Sequence, residues 1–319
     1  MATNSAPVTL SVVVPLYNEE ANVTPLVERI VGIVESLPDH PTYELILVND
    51  GSIDGTADSI RNELRRRPHI VFINLSRNFG HQLAATAGLD VSRGEAIVLM
   101  DGDLQDPPEL IPEFLERWRA GYDVIYAVRR SRKGESAFKL GTARAFYRIM
   151  RRLTNVSIPM DAGDFRLMSR RVVEVLKRSR ERHRFLRGMV SWAGFAQTAV
   201  EYDRDERRAG VSKYPLSKMF KLAIDGVTSF SDVPLRFASY LGFVVSTAAF
   251  IYAILIIFFR IFHLGIPEFT RGWASTMVAI LFLGGVQLIG IGILGEYIGR
   301  IYDEVKGRPL YLISEIERS

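Results

Sequence analysis

The amino-acid sequence predicts an α/β domain with a mostly parallel sheet flanked by helices, followed by a two-helix hairpin that crosses a membrane. Three observations support this fold class. Short apolar runs alternate with helical patterns at the start of the chain, polar loops follow those runs, and two long uncharged segments lie in the last third of the 319 residues. Strands that are apolar almost throughout and alternate with helices are typical of a parallel sheet covered on both faces.

The individual elements are predicted in chain order. Five strands are expected, at 8–14, 43–48, 69–75, 95–100 and 122–128. Helices are expected between them, near 22–37, 55–67, 80–91 and 107–121, the last with proline in its first turn. They are followed by an amphipathic stretch at 136–155, the segment 161–170, a basic helix, a strand at 196–202 and an amphipathic helix at 216–227. The apolar face of that last helix is expected to rest in the membrane interface, with packing on the domain as the alternative.

Two segments are long and apolar enough to span a bilayer. No charge occurs in the 19 residues 241–259 or in the 23 residues 273–295. A membrane-spanning helix needs about 20 apolar residues, so the segments predict two spans, and a pair of buried core helices is the alternative. The predicted organisation is a catalytic domain at 1–214, an interfacial region at 215–236, spans at about 239–260 and 273–297 within 237–299, and a tail at 300–319. Residues 1–10 lack the pattern of a cleaved signal peptide.

Charge places the large domain in the cytoplasm. Basic residues flank the predicted hairpin on both sides: Lys218, Lys221, Arg236, Arg300, Lys306 and Arg308. Cytoplasmic flanks of membrane spans carry an excess of Lys and Arg, so we expect a multi-pass protein of the inner (plasma) membrane with both flanks inside. The chain contains no cysteine, which excludes disulfides and thiol catalysis.

A basic block lies in the middle of the chain. Between Arg129 and Arg187 there are 18 Lys and Arg against five acidic residues. Such a block predicts a polyanionic partner, and the neighbouring spans favour membrane lipid headgroups over nucleic acid. A solvated basic face is the alternative.

Polar loops follow the first four predicted strands. They read PLYNEE (15–20), NDGSIDGT (49–56), SRNFGHQ (76–82) and DGDLQDPP (101–108). Ligands of open α/β sheets bind outside the carboxyl ends of the parallel strands. We therefore expect the functional site at that edge, although asparagine, aspartate and glycine also favour ordinary turns.

The fourth loop has the composition of a divalent metal site. Asp101 and Asp103 are two residues apart, so in an extended chain their side chains point the same way, and Gln105 adds an amide oxygen on that side. Two unpaired carboxylates would repel each other, and a Mg²⁺ or Mn²⁺ ion removes that conflict. Mg²⁺ binds proteins mostly through one or two carboxylates plus substrate phosphates, which indicates a nucleotide diphosphate.

Six motifs together carry a family resemblance: VVVPLYNEE, LVNDGSIDGT, SRNFGHQ, MDGDLQDPPE, DAGDFRLMSR and ERRAGVSKY. With two C-terminal spans, they resemble the family-2 glycosyltransferases of the GT-A fold. The closest pattern is that of the bacterial polyprenyl-phosphate glycosyltransferases, which include the bactoprenol glucosyltransferases and are related to dolichol-phosphate mannose synthase. Arg208 and Val211 depart from the usual pattern without touching a motif residue.

The resemblance implies roles for residues of this chain. The residues implied to bind the nucleotide sugar are Pro15, Tyr17, Asn18, Glu19, Asp50, Asn78, Asp101, Asp103, Arg207, Ser212 and Lys213. Asp101, Asp103 and Gln105 would hold the metal, and Asp164 and Arg166, placed in a loop, would face the sugar and the acceptor as the catalytic pair. The alternative for Asp164 and Arg166 is a structural ion pair.

The implied activity is an inverting transfer of a hexose, glucose from UDP-glucose, onto polyprenyl (undecaprenyl) phosphate at the cytoplasmic face. Alternatives are another donor such as GDP-mannose or a modified UDP-sugar, a polysaccharide synthase, or a membrane-anchored binding protein. The synthase is disfavoured because the chain lacks a Q-x-x-R-W signature. The tail at 308–317 is expected to be able to add a strand to a neighbouring copy, which would make a homo-oligomer.

Overall fold

The computed structural model describes residues 8–129, 162–202, 231–262 and 273–319. The chain divides into two compact units. The first contains the α/β domain together with residues 308–319, and the second contains two long apolar helices. Residues 300–319 are predicted to form a separate tail, whereas the last twelve residues are part of the first unit. The predicted segments at 136–155 and 216–227 lie outside the described residues.

The first unit begins with the expected alternation of strands and helices. Its elements up to the fifth strand are β1 (Leu10–Leu16), α1 (Glu20–Glu35), β2 (Tyr43–Asn49), α2 (Thr56–Arg66), β3 (Ile70–Leu75), α3 (His81–Val91), β4 (Ala96–Leu99), α4 (Ile111–Arg119) and β5 (Val124–Arg129). A short 3-10 turn at Pro108–Leu110 precedes α4. Each predicted strand and helix of this region is therefore confirmed to within a few residues.

The remaining elements of this unit include one strand that was not predicted. They are β6 (Ala162–Ser169), α5 (Arg170–Arg178), α6 (Leu186–Trp192), β7 (Gln197–Tyr202) and β8 (Ile313–Arg318). Asp164 and Arg166 are predicted to lie in a loop, but both lie in β6. Both residues are buried although they are charged, and they alternate with the apolar core residues Phe165 and Leu167. Their charges interrupt the apolar pattern by which a buried strand is predicted.

Within the described residues, eight strands form one mixed sheet in the order β7-β5-β6-β4-β1-β2-β3-β8. Strand β6 is inserted antiparallel between β4 and β5, and β8 is antiparallel to β3. All other pairs are parallel, so the mostly parallel sheet is confirmed. The carboxyl ends of β1 to β4 share one edge, which we call the carboxyl edge, and β6 begins there because it runs the opposite way.

Strand β8 closes the outer side of the sheet within the same chain. It pairs with β3 in register Ile73 with Ile316. Arg61 of α2 contacts it through Glu315 Oε2 at 2.7 Å and Glu317 Oε1 at 3.1 Å. The segment is thus a strand of its own domain, and its pairing with a neighbouring copy stays a prediction.

Helices cover both faces of the sheet. One face packs on α1 and α4 through residues that include Val12 and Phe165. Helix α3 packs on β1 and β2 from the opposite face, since Val13 alternates with Val12 along β1. A Cβ at Gly88 of α3 would lie 2.3 Å from Val13 Cγ1, so glycine is needed for this close approach. The tight fit fixes the start of α3 at the carboxyl edge.

The second unit contains α7 (Val233–Ile261) and α8 (Trp273–Val305). Within them, 233–252 and 276–305 are long and apolar enough to cross a membrane. The Tyr297 hydroxyl of α8 donates to the Ser231 carbonyl at 2.6 Å. Helix α8 extends beyond the predicted boundary at 297 by eight residues, to Val305.

Candidate active site

The loops after β1 and β2 are fastened together by hydrogen bonds. The Asn18 amide donates to Ser52 Oγ at 2.9 Å, and Asn18 Oδ1 accepts from the Ile53 amide at 3.0 Å. The Glu19 amide donates to Thr56 Oγ1 at 2.9 Å. Asn18 adopts a positive φ of 55°, which asparagine tolerates better than most residues. Both predicted nucleotide-binding residues therefore also build the edge itself.

Tyr17, Asn18 and Asn78 are predicted nucleotide-binding residues that are open to solvent. Tyr17 is 44 % exposed directly after β1. Asn78 is exposed in the loop after β3. Pro15, in contrast, is buried inside β1 opposite Val48, where it contributes to the sheet. Tyr17 offers an aromatic face on which a base can stack.

The carboxylate of Asp50 is hydrogen-bonded to the loop that follows β3. It accepts from the Phe79 amide at 2.7 Å and from the Gly80 amide at 2.9 Å, and the residue is buried. Burial raises the pKa of Asp50, and these two amide hydrogen bonds oppose the rise without cancelling it. Asp50 thus fixes the loop that carries Asn78, a role beyond the predicted contact with the nucleotide sugar.

The metal motif bends instead of continuing β4 as an extended strand. Leu104 has a φ of 61°, and Asp103 Oδ1 accepts from the Gln105 amide at 3.2 Å. A Cβ at Gly102 would lie 2.4 Å from Leu16 Cδ2, so the turn requires glycine. The Asp101 amide donates to Asp106 Oδ2 at 3.2 Å, which anchors the turn. The expected common direction of Asp101, Asp103 and Gln105 along an extended chain is therefore not what the backbone provides.

Asp101 lies in a cluster with two residues from other elements. His81 Nε2, at the start of α3, lies 3.4 Å from Asp101 Oδ1 and 3.3 Å from Asp164 Oδ2 of β6. Ligand atoms of these three residues lie within 4.8 Å of one another. Asp101 Oδ1 is buried and accepts no hydrogen bond from the described residues. A buried carboxylate oxygen without a donor, among carboxylate and imidazole groups, fits a divalent cation.

Arg187 and Gln82 complete this cluster. Arg187, the second residue of α6, donates from Nε to Asp164 Oδ1 at 2.7 Å and from Nη2 to Oδ2 at 3.1 Å. Gln82 Nε2 donates to Asp164 Oδ2 at 3.3 Å. Sequence reasoning missed His81, Gln82 and Arg187. The first two lie in the quoted SRNFGHQ motif, which was the available signal, while Arg187 was one of 18 basic residues.

The two carboxylates of the cluster have opposite pKa shifts. Burial raises the pKa of Asp164, but Arg187 and the hydrogen bond from His81 outweigh it and hold that pKa well below its usual range. Burial also raises the pKa of Asp101; the charge of His81 lowers it, the charges of Asp164 and Asp103 raise it further, and the result is a raised pKa. Burial lowers the pKa of His81, yet Asp164 and Asp101 raise it to about 9.

The alternative predicted for Arg166 and Asp164, an ion pair, is present only at the limit of ion-pair distance. Arg166 Nη2 donates to the Gly163 carbonyl at 2.8 Å and its Nε to the Asp164 carbonyl at 3.3 Å. The closest approach of its guanidinium to the Asp164 carboxylate is 4.0 Å, whereas Arg187 contacts that carboxylate directly. Burial lowers the pKa of Arg166 to about 10, so it remains a cation at neutral pH. The remaining predicted site residues, Arg207, Ser212 and Lys213, lie outside the described residues.

Two family models match separate parts of the chain. The model described as "Glycosyl transferase family 2" matches residues 11–177, and the model described as "GtrB C-terminal hairpin" matches residues 233–301. The first match covers β1 to α5 and the whole carboxyl edge. The second covers most of α7 and α8.

Curated relatives match almost the full length. "Uncharacterized glycosyltransferase YkcC" of Bacillus subtilis is 49 % identical over 96 % of this chain and 93 % of that protein. "Prophage bactoprenol glucosyl transferase homolog" of Escherichia coli is 44 % identical over 97 % of this chain and 99 % of that protein. "Bactoprenol glucosyl transferase" of Shigella phage SfII is 45 % identical over 97 % and 98 %. The similarity therefore includes the α/β domain and the two apolar helices together.

Proposed function

The chain belongs to glycosyl transferase family 2, and we propose that it is a membrane-bound hexosyltransferase that acts on a polyprenyl phosphate. In this proposal it moves glucose from UDP-glucose to undecaprenyl phosphate at the cytoplasmic face of the plasma (inner) membrane. The observation that carries the proposal is the 44–45 % identity, over 97 % of the chain, to proteins named for bactoprenol glucosyl transfer. A lipid-linked acceptor also gives the two apolar helices a purpose, since they would hold the enzyme where that acceptor lies.

The proposed reaction is a direct displacement at the anomeric carbon of the sugar. The bond from that carbon to the donor diphosphate breaks, its electron pair leaves with UDP, and a phosphate oxygen of the acceptor forms the new bond. A phosphate monoester has a second pKa of about 6, so the acceptor is mostly a dianion at pH 7 and needs no general base. The depressed pKa of Asp164 agrees with this view, because a carboxylate held ionised by Arg187 accepts a proton poorly.

Positive charge is the main requirement of such a site, since a dianion must approach an anionic diphosphate. We propose that Arg166, Arg207 and Lys213 supply part of it. Asp101, with its unpartnered Oδ1, and the predicted ligands Asp103 and Gln105 would hold Mg²⁺ or Mn²⁺, which stabilises the departing diphosphate when bound. Tyr17 and Asn78 would contact the nucleotide.

A transfer assay tests the function directly. Purified full-length protein is offered radiolabelled UDP-glucose, other UDP-sugars or GDP-mannose, each with undecaprenyl phosphate and Mg²⁺ or Mn²⁺. We expect label from UDP-glucose to become extractable into organic solvent, and undecaprenol without its phosphate to receive none. Transfer from another donor alone would correct the sugar, and no lipid-linked label from any donor would contradict the function.

Cysteine labelling tests the proposed location. The chain has no cysteine, so Gly265→Cys and Ser5→Cys each introduce a single thiol. With basic flanks inside, an impermeant thiol reagent added to intact cells should label Gly265→Cys between the helices and not Ser5→Cys. The reverse pattern would contradict a cytoplasmic catalytic domain.

A further inference from the structure

The carboxylate of Asp164 is held from three sides. Arg187 contacts Oδ1 at 2.7 Å and Oδ2 at 3.1 Å, and Oδ2 also lies 3.3 Å from both His81 Nε2 and Gln82 Nε2. Asp164 is itself buried in β6. Holding one carboxylate with a guanidinium, an imidazole and an amide leaves it a single orientation.

Gln82 makes a second contact that ties this carboxylate to α6. Its Oε1 accepts from the Leu186 amide at 3.0 Å, and Leu186 directly precedes Arg187. One side chain of α3 therefore binds Asp164 with its nitrogen and the first residue of α6 with its oxygen. A shift of α6 would move Arg187 away from Asp164. By bonding both Asp164 and the start of α6, Gln82 holds the carboxylate and its arginine partner in place relative to each other.

We propose that Gln82 and Arg187 are positioning residues that orient Asp164 toward His81 and Asp101 for the transfer step. The inference rests on the proposed function and names residues that the six motifs did not assign a role. Both act through Asp164, so their loss should lower kcat while the KM for the nucleotide sugar stays close to that of the wild type. The nucleotide is proposed to meet other loops, in which Asn18 bonds to Ser52 and Ile53, and Asp50 bonds to Phe79 and Gly80.

The chain contains a matched control for a purely structural role. Asp123, directly before β5 at the opposite edge of the sheet, is also buried, and Arg171 also holds it through Nε and Nη2. It accepts a further bond from Ser169 Oγ at 2.9 Å. Loss of Arg171 should therefore reproduce any general cost of breaking a buried aspartate–arginine pair.

The test compares Arg187→Lys, Arg187→Gln, Gln82→Glu and Gln82→Met with Arg171→Gln in full-length protein. Gln82→Glu can still accept from the Leu186 amide but cannot donate to Asp164, so it separates the two contacts of Gln82. We expect kcat to fall about 10²-fold for Arg187→Gln, about tenfold for Gln82→Glu and Gln82→Met, and less for Arg187→Lys, which keeps the charge. Arg171→Gln should lower the unfolding midpoint and leave kcat unchanged.

Two results would overturn the proposal. One is an unchanged kcat in the Gln82 and Arg187 variants, and the other is an equal loss of kcat in Arg171→Gln. If the wild type transfers no sugar at all, the proposed function fails separately, and a high-resolution structure of Gln82→Glu decides the inference. Asp164 should then be rotated away from His81, and an unmoved carboxylate would refute the positioning role.

Discussion

Two buried aspartates, each held by an arginine, lie at opposite edges of one sheet and differ in their surroundings. At the amino edge, which is the edge opposite the carboxyl edge, Arg171 and Ser169 donate hydrogen bonds to the carboxylate of Asp123. At the carboxyl edge, Arg187 grips Asp164 in the same manner, but His81 and Asp101 stand beside the pair. The same local interaction thus closes a junction between elements at one edge and forms part of a cluster at the other.

The pKa shifts show what the difference means. Burial raises the pKa of Asp123, but Arg171 and Ser169 outweigh it, so the charged form is favoured. The pKa of Asp101 is raised by burial and by its acidic neighbours, against the attraction of His81. Asp101 is a buried carboxylate with few hydrogen-bond donors around it, and such a group does not stabilise the fold. Such groups are typical of functional sites, which supports the proposal that the carboxyl edge carries the active site.

The largest expected effect is on turnover at the carboxyl edge. Asp101→Asn and Asp103→Asn each remove a charged ligand predicted for the metal, and each should lower the rate of transfer by about 10²–10³-fold. The unfolding midpoint should hardly change, since Asp101 Oδ1 has no hydrogen bond to lose. Turnover and thermal unfolding are measured on the same samples, with Asp123→Asn as the control. Near-normal transfer by Asp103→Asn in Mg²⁺ would refute the metal assignment.

A smaller loss is expected for Asp164→Asn. If Asp164 orients groups and does not accept a proton, the variant should keep measurable turnover, lowered by no more than about 10²-fold. Its pH–rate profile should keep the acidic limb of the wild type, because that limb comes from the second ionisation of the lipid phosphate. In the same assay, Arg207→Ala should lose more activity than Arg207→Lys at every pH. Complete loss of transfer in Asp164→Asn, with normal binding of both substrates, would identify Asp164 as a base.

The contrast between the edges also explains what the sequence could predict. Buried strands are predicted by their continuous apolar runs, so the sequence predicts β1 to β5 and the loops after β1 to β4. Strand β6 was missed because the residues that matter in it, Asp164 and Arg166, are charged and break the apolar pattern that identifies a buried strand. Charged residues placed in a buried strand for binding or catalysis therefore hide that strand from prediction by apolar pattern.

Partners in the cluster could not be predicted, because they come from separate elements. His81 was visible in its motif, yet nothing in the sequence joins it to Asp164, which is 83 positions further along the chain. The antiparallel insertion of β6 between β4 and β5 creates that contact. The pairing of β8 with β3 was likewise hidden, since an edge strand can pair within its own chain or with a second copy.

The amino edge should respond in stability and not in turnover. Asp123→Asn removes the charge that Arg171 binds and should lower the free energy of unfolding by about 1–3 kcal/mol at pH 7. The pKa of Asp123 is lower in the folded protein than the ordinary value of about 3.9, so its stabilisation is fully present above about pH 4. It declines as the pH falls through the lower folded value, and the unfolding midpoints of wild type and variant should converge in acid. A constant difference at all pH values would contradict an ionic origin.

The smallest effect is expected where β8 reaches the amino edge. Arg318 Nη1 lies 3.8 Å from Glu44 Oε2, but that buried carboxylate is already held by Ser11 Oγ at 2.7 Å and by the Arg93 amide at 2.6 Å. Arg318→Ala should therefore lower the free energy of unfolding by less than about 1 kcal/mol and leave turnover unchanged. Because β8 pairs with β3 of its own chain, the loss should not depend on protein concentration. A loss that grows on dilution would mean that the strand is exchanged between copies, since only an association between chains makes stability depend on concentration.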